Sequence, residues 1–394
     1  MRSAVSVCSG RRPIPPIIYD DLERGIARAA ALGFEGIELH GDLTRLDRHA
    51  LLRQLDDFGL KLSAIMTGAT AGSGATLASE DEKLRGRAFA AVSDAIDLAT
   101  ESGAVVSIGL IIGRSPTDPQ QVVATRRHAL DQISTLARKA SGQGVRLAVE
   151  PMNRYLGSLI HNVDDAITLV KEIGERNVGI MLDTFHMNIE EPSIDEAIRR
   201  AGEHVFYVQL SDSNRRAPGL GHTDFEPIVE ALISIGYDGW ISAEVLPEPD
   251  AETAATTWRG AYKRIRDQAK PLLMPEQVEA LRAKLNADPL FRARSKSFLG
   301  SVALAMGRHT WTLWFNGGMI VRAEPGVPAE GVDITVSGPL DEWATVLRGE
   351  KHLLHALNVY HGRLRLSGNL LLYAGNVRPL FYLFSCLKEV TSRD

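Results

Sequence analysis

Short apolar runs rich in β-branched residues recur along the first part of the chain, and segments with a helical pattern separate them. These segments carry apolar residues three and four positions apart, and several close on a glycine. Strands that alternate with helices pair in parallel through right-handed crossovers. Eight such units fit a closed barrel better than an open sheet, and no glycine-rich nucleotide-binding motif follows the first run. The runs are 4–8, 36–39, 60–65, 105–112, 146–150, 179–183, 205–210 and 240–245.

The pattern changes beyond residue 270. A charged helical stretch is followed by the apolar segments TWTLWF, GMIVRA and VDITVSG, the helical PLDEWATVLRG, the strand-like GRLRLSG and a last apolar helix. The sequence therefore predicts an α/β fold, a (β/α)8 TIM barrel with a smaller α+β C-terminal domain. We expect the barrel over 1–270, a helical linker over 271–299 and the α+β domain over 300–394.

The composition excludes several classes of protein. The 394 residues carry a net charge of −5, which gives no basic surface for nucleic acid. Cys8 and Cys386 form neither a disulfide framework nor a metal-binding spacing, as in a reducing cytoplasm. No secretory signal and no run of ~18 apolar residues is visible. We therefore expect a soluble, cytoplasmic protein without a membrane span, and a homo-oligomer.

Oxygen-bearing side chains stand at the ends of the last four predicted strands. They are Glu150, Asp183, Gln209 and Glu244, and a barrel brings the carboxyl ends of its strands to one mouth. A single acid there is more often a helix cap or a surface residue, and a lone glutamine can be a satisfied core amide. Three carboxylates together would raise one another's pKa unless a cation neutralised them. An all-oxygen set predicts Mg²⁺ or Mn²⁺ as the cofactor.

The motifs around these positions resemble the sugar-phosphate isomerase/epimerase family with the xylose-isomerase-like barrel, most closely its ketose 3-epimerases. The resemblance covers about residues 1–270 and implies that Glu150, Asp183 and Glu244 are metal ligands, with Glu150 and Glu244 as the acid/base pair. At the position of Gln209 most of the family has histidine, whereas relatives similar to hydroxypyruvate isomerase have glutamine. The motifs are VEPMNRY (149–155), LDTFHMNIEE (182–191), VQLSDSNRRAPGLGH (208–222) and GWISAEV (239–245).

A metal at this mouth predicts a mechanism. A hydroxy-ketone would chelate the ion through its carbonyl and hydroxyl oxygens, and the ion would stabilise the enediolate formed on proton removal. One glutamate takes the proton, and a second on the opposite face can return one and invert the centre. An aldose–ketose shift needs only one base, so the pair allows an isomerase or an epimerase.

Four further residues are candidates for substrate binding. The resemblance implies that His186 binds a substrate oxygen, although a structural hydrogen bond is equally compatible. Arg215 could clamp a carboxylate or phosphate, and Arg154 and His222 lie in loops that could reach the mouth. The loop 70–79 could cradle an anion, but such small-residue loops are more often without a ligand.

Leu156 departs from the family pattern. Free-ketohexose epimerases typically have a substrate-binding glutamate where this chain reads NRYL. Loss of that acceptor would cost roughly 1–3 kcal/mol for a buried hydroxyl. We therefore expect a glycoside, a keto-cyclitol or a modified sugar rather than a plain hexose.

The tail resembles the sterol-carrier-protein-2 type of domain in the segments DITVSGPLDEWATVLRGE and GRLRLSGNLLL. This resemblance implies an apolar pocket, while a packing or dimerisation module explains the same aromatic residues.

Three functions follow. The first is a metal-dependent isomerase or epimerase of a keto-sugar or cyclitol. The second is a lyase, a dehydratase or a keto-glycoside-cleaving enzyme that uses the same carbanion. The third is a lipid-binding protein with an inactive barrel, which predicts neither metal nor proton exchange.

Overall fold

The computed structural model describes residues 1–10, 14–116, 118–156, 159–269, 272–307, 309–357 and 360–391. The chain divides into two compact units, Met1–Ala269 and Lys270–Asp394. Among the described residues, no helix is both long enough and apolar enough to cross a membrane.

The first unit is a closed parallel barrel, as predicted. Among the described residues its eight strands follow one another in sequence order around the barrel, and β1 pairs with β8 to close it. The strands are β1 (Arg2–Ser9), β2 (Gly36–Gly41), β3 (Lys61–Met66), β4 (Val105–Ile108), β5 (Arg146–Val149), β6 (Val178–Asp183), β7 (Val205–Gln209) and β8 (Trp240–Ala243).

Helices connect these strands, and acidic caps begin many of them. The carboxylates of Asp21, Asp47, Asp81 and Asp118 accept backbone N–H groups at the starts of α1 to α4, which satisfies donors that have no partner within the helix. The helices are α1 (Leu22–Ala31), α2 (Arg48–Asp57), α3 (Glu82–Ser102), α4 (Pro119–Gly142), α5 (Val163–Ile173), α6 (Thr184–Glu190), α7 (Ile194–Ala201), α8 (Phe225–Ser234) and α9 (Ala251–Ala269).

Side chains fill the interior of the barrel. Alternate strand residues form a separate buried cluster that includes Met181, Tyr207 and Trp240, while the residues between them pack against the helices. The Tyr207 hydroxyl lies 2.8 Å from Oγ of Ser63 across the barrel. The packed interior leaves the chemistry to the mouth at the carboxyl ends of the strands.

The fourth strand is shorter than predicted. The apolar run 105–112 is a strand only to Ile108, and Leu110–Ile112 form a 3-10 turn. The chain leaves strand geometry at Gly109, with φ −113° and ψ −99°. Ile111 and Ile112 are nonetheless buried, so their hydrophobicity reflects a buried loop and not a longer strand.

The second unit is a mixed sheet with helices and has its own core. Among the described residues its strand order is β11-β10-β9-β12-β13. The predicted strands are present, but the sequence prediction missed β9. The strands are β9 (Gly300–Met306), β10 (His309–Asn316), β11 (Met319–Pro325), β12 (Ile334–Gly338) and β13 (Arg365–Gly368).

The predicted linker 271–299 belongs to this second unit. Its helices carry Leu281, Leu285 and Phe291 into the same buried cluster as the sheet and Trp343, so these helices are part of a domain and do not act as a spacer. The helices are α10 (Pro275–Ala287), α11 (Pro289–Arg294), α12 (Leu340–Leu347), α13 (Leu353–Ala356), α14 (Leu370–Gly375) and α15 (Val377–Thr391).

Candidate active site at the barrel mouth

The four predicted ligands lie where the strands end. Glu150 directly follows β5, Asp183 ends β6, Gln209 ends β7, and Glu244 directly follows β8. Their exposed fractions are 5%, 1%, 0% and 3%. Burial of several ionisable groups at one mouth is costly unless a partner compensates for it.

Asp183 has two roles at once. Its Oδ1 accepts the backbone N–H of Phe185 at 2.9 Å and caps α6. Its Oδ2 receives Nη1 of Arg215. Burial opposes its charge, but the charge of Arg215 and the hydrogen bonds from Arg215 and from the Phe185 backbone outweigh burial and lower the pKa of Asp183. Asp183 is therefore a helix cap, and its role as a metal ligand stays a prediction.

Arg215 links two of the predicted ligands. Its guanidinium donates to Asp183 and to Glu244 and stacks over the Phe185 ring at 4.9 Å. Burial lowers the pKa of Arg215, but the two carboxylates more than offset this and hold the pKa above its usual value. The backbone of Arg215 has φ 63°, which is unusual for a residue with a side chain. The left-handed conformation marks a site where the surroundings impose the geometry.

Glu150 is the least compensated of the acids. No described residue donates a hydrogen bond to its carboxylate. Nε2 of His186 lies 3.8 Å from Oε1 of Glu150, which is too far for a hydrogen bond. Burial raises the pKa of Glu150 well above its usual value, and the charges of Glu244 and Asp183 raise it further. An almost buried carboxylate without a donor requires a proton or a cation.

A hydrogen-bond network orients the amide of Gln209. Its Nε2 donates to Oε1 of Glu38 at 2.8 Å, and Nε2 of His40 lies 2.7 Å from the same oxygen. The amide oxygen of Gln209 is buried and has no partner among the described residues. On the other side, Nε2 of His40 is 3.9 Å from Glu244. Glu38 thus leaves the Gln209 carbonyl oxygen free to accept a cation.

His186 is held as a neutral donor. Burial lowers its pKa to about 4. The amide nitrogen of Asn153 lies 2.7 Å from Nδ1, and donation from that amide leaves the proton on Nε2. This Nε2 lies 3.7 Å from Asp183 and 3.8 Å from Glu150. The imidazole can therefore donate a hydrogen bond to an oxygen of a molecule in the mouth.

The residues present fit a divalent cation. The described residues include two groups, and within each group the ligand atoms lie within 4.8 Å of one another. One group is Glu150, Asp183 and His186, and the other is Glu38, His40 and Glu244. An unpartnered amide oxygen and a carboxylate without a donor are typical of a site that receives a hard cation. Arg215 already contacts one oxygen of Asp183 and one of Glu244, so a bound cation would share those carboxylates with it.

A cavity of about 330 Å³ opens above these residues. Glu150, His186, Arg215 and Glu244 line it on one side. The rest of its lining is mostly apolar: Ile14, Pro15, Met66, Leu110, Met152, Leu156 and Leu246. Such a cavity positions a reactive polar group beside an apolar part of a ligand.

Two predicted substrate-binding residues do not reach this cavity. The guanidinium of Arg154 pairs with Glu190 at 2.8 Å, and the Arg154 side chain is 63% exposed. His222 is exposed, and its Nδ1 lies 2.9 Å from Oγ of Ser213. Neither lines the cavity, because local partners hold both side chains in the loops.

Several residues of the site were missed or undervalued in the sequence. Asn153 stands within a quoted motif but was given no role, and neither was His40, which directly follows the apolar run 36–39. Gly109 was not considered, although a Cβ there would lie 2.5 Å from Oε2 of Glu150. For His40 and Gly109, the position at the end of a strand was the available signal.

Comparisons with known proteins agree with this architecture. The family model of the xylose isomerase-like TIM barrel matches residues 26–267. The D-psicose 3-epimerase of Agrobacterium fabrum is 32% identical over 241 residues, which are 59% of this chain and 80% of that protein. The 3-dehydro-D-guloside 4-epimerase of Escherichia coli is 27% identical over 218 residues, 54% of this chain and 82% of that protein.

A solved structure shares the fold. The structure of an L-ribulose 3-epimerase aligns with a TM-score of 0.59 and 24% identity, over 73% of this chain and 99% of that one.

Proposed function

Because the chain belongs to the xylose isomerase-like TIM barrel family and is a sugar isomerase or epimerase, we propose that it epimerises a keto-sugar with a divalent metal ion. The ion is Mn²⁺ or Mg²⁺, and its ligands are Glu150, Asp183, Gln209 and Glu244. The observation that carries the proposal is that buried side-chain oxygens stand at the ends of four consecutive strands, and that the Gln209 carbonyl oxygen has no hydrogen-bond partner within the described parts of the chain.

The protein's own residues would move the proton. Glu150 and Glu244 come from different strands and both line the cavity. One of them takes a proton from the carbon next to the substrate carbonyl, and the other returns a proton to that carbon. A divalent cation, when bound, supplies a Lewis acid that stabilises the negative charge on the substrate oxygens.

Two other residues would orient the substrate. His186 donates from Nε2 to a substrate oxygen, and the hydrogen bond from Asn153 to Nδ1 fixes that tautomer. Arg215 favours the charged forms of Asp183 and Glu244 and holds both carboxylates in place. The apolar part of the lining limits the access of water to the reacting carbon.

The remaining parts of the proposal concern the cellular compartment and the oligomeric state of the enzyme. We place it in the cytoplasm, which agrees with the absence of a disulfide at the described cysteines Cys8 and Cys386. A homo-oligomer stays a prediction, which light scattering of the purified protein would test.

Solvent deuterium exchange tests the function. The protein is incubated with Mn²⁺ in heavy water and a panel of ketoses, keto-cyclitols and keto-glycosides, and NMR follows deuterium at carbons next to the carbonyl. We expect deuterium in both epimers with the wild-type protein, and a loss of at least about 100-fold in Glu150→Gln and Glu244→Gln.

Glu248→Gln is the matched control. Glu248 is exposed and pairs with Arg216, so exchange should be unchanged in that variant. A product with an inverted centre but no solvent deuterium would contradict the proposal, since proton transfer through two bases carries a solvent proton to the carbon.

A further inference from the structure

A second cleft lies next to the active-site cavity. This cleft, of about 570 Å³, is lined by small residues of the segment 71–79, by Gly113 and Arg114, and by Leu110 and Leu156. Leu110 and Leu156 also line the active-site cavity. These two half-buried leucines therefore stand between the reacting groups and a cleft that the mechanism does not use.

The cleft is a formed part of the barrel mouth. The segment 71–79 is tied to the turn after β4, because Leu77 N donates to Ile111 O at 2.8 Å and Ala78 N donates to Ile112 O at 2.9 Å. Leu77 and Ala78 are buried. Backbone hydrogen bonds to the turn after β4 and the buried side chains of Leu77 and Ala78 therefore hold this segment of the cleft wall in place.

The chemistry of the cleft is unlike that of the cavity. Among the described residues that line the cleft, Arg114 alone is charged, and the others are Gly, Ala, Ser, Thr and Leu. Such a surface accepts a flat or apolar group but offers few fixed acceptors to the hydroxyl groups of a sugar.

We infer that the substrate is a keto-glycoside whose apolar aglycone crosses Leu110 and Leu156 and occupies the cleft lined by 71–79 and Arg114. The inference rests on the proposed function, because it assumes that the keto-sugar ring lies beside Glu150 and Glu244. One relative is named as an epimerase of a guloside, which agrees with a ring that carries a substituent.

A substrate series tests the inference in the full-length protein loaded with Mn²⁺. The probes are D-psicose and the methyl and phenyl 3-keto-D-glucopyranosides in both anomeric forms. The readout is kcat/KM for solvent deuterium incorporation. We expect the phenyl glycoside of one anomer to exceed the methyl glycoside by at least about tenfold, which corresponds to about 1.4 kcal/mol of added contact.

A blocking variant locates the aglycone. Gly72 lines the cleft, and a Cβ there meets open space, so Gly72→Trp should fill the cleft without strain on the fold. We expect it to lower kcat/KM for the phenyl glycoside about tenfold and to leave the methyl glycoside and D-psicose within twofold. Gly142→Trp is the control, since Gly142 also has open space but ends α4 and lines neither cavity.

The outcomes separate this inference from the proposed function. Equal rates for phenyl and methyl glycosides, or an equal loss for every substrate in Gly72→Trp, would overturn the aglycone site and leave the epimerase intact. No exchange with any probe would overturn the proposed function itself. Should Gly72→Trp fold poorly, the wild-type ratio of phenyl to methyl substrate decides alone.

Discussion

At the scale of single residues, we expect Leu156 to determine which substrates the cavity favours. It lines the cavity in place of a carboxylate, and Leu156→Glu should restore an acceptor for a sugar hydroxyl. We expect kcat/KM for D-psicose to rise about tenfold relative to the phenyl keto-glycoside. Tyr155→Glu places the same charge on a neighbour that is 80% exposed and should leave the ratio unchanged. An equal effect of both variants would contradict a direct role for Leu156.

A second prediction at this scale concerns pH. Burial raises the pKa of Glu244 to about 7, despite Arg215, which lowers it. A carboxyl with a raised pKa in the folded state contributes stability below its unfolded value, and this is lost as pH rises through the folded value. We expect the barrel without metal to lose on the order of 3 kcal/mol between about pH 4.5 and 8.

Urea unfolding across this range, with a chelator present, measures the loss. Glu244→Gln should lack this contribution, and Mn²⁺ should offset the loss because it binds the deprotonated carboxylates. The prediction would be wrong if the wild type and Glu244→Gln followed the same pH profile.

Prediction from sequence gave the correct position of a residue where the order of the strands alone determines that position. The ends of consecutive strands place Glu150, Asp183, Gln209 and Glu244 at one mouth whatever the loops do. It failed for Arg154, whose position depends on its pairing with Glu190. The hydrogen bond between Asn153 and His186 joins the loop after β5 to α6 and has no signal in a single sequence.

At the scale of elements, the short β4 makes room for the active site. Gly109 follows this strand, and a Cβ there would lie 2.5 Å from Oε2 of Glu150 and 3.2 Å from its Cβ. Gly109→Ala should therefore displace the carboxylate, which is the mobile end of a side chain, at little cost to the fold. We expect the exchange rate to fall at least about tenfold with nearly unchanged thermal stability.

Gly68→Ala is the matched control for that experiment. Its added Cβ would lie 3.6 Å from Leu110, an ordinary contact, in the loop after β3. Activity close to the wild type in Gly109→Ala, or a loss as large in Gly68→Ala, would contradict the role given to Gly109.

Element-level prediction from sequence was accurate for the alternation and less accurate for lengths. An apolar run such as 105–112 looks the same whether it is a strand or a strand followed by a buried turn. The strand β9, with the sequence GSVALAM, was missed because it follows directly on a charged helical stretch.

At the scale of the whole molecule, each of the two units has its own hydrophobic core. Trp343 is fully buried in the second core, and its Nε1 donates to Ala305 O at 2.8 Å. We expect two unfolding transitions, and Trp343→Ala should destabilise only the second unit, by about 3–5 kcal/mol. Calorimetry with and without Mn²⁺ assigns each unfolding transition to a unit, because the metal should raise only the unfolding temperature of the barrel.

A single transition that moves as one with both Mn²⁺ and Trp343→Ala would contradict two independent cores. The sterol-carrier resemblance of this second unit stays a prediction. The buried aromatic residues Phe291, Phe298, Phe315 and Trp343 form the core of the domain, which is what a packing module requires.

The binding of Mn²⁺ to the purified protein tests the central claim most directly. Calorimetric titration at pH 8 should show one site per chain in the wild type and in Asp238→Asn, an exposed control position. In Asp183→Asn the side-chain oxygen can still cap α6 but the charge is gone, and we expect the affinity to fall at least about 100-fold. Equal affinity in Asp183→Asn, or no binding to the wild type, would contradict the account.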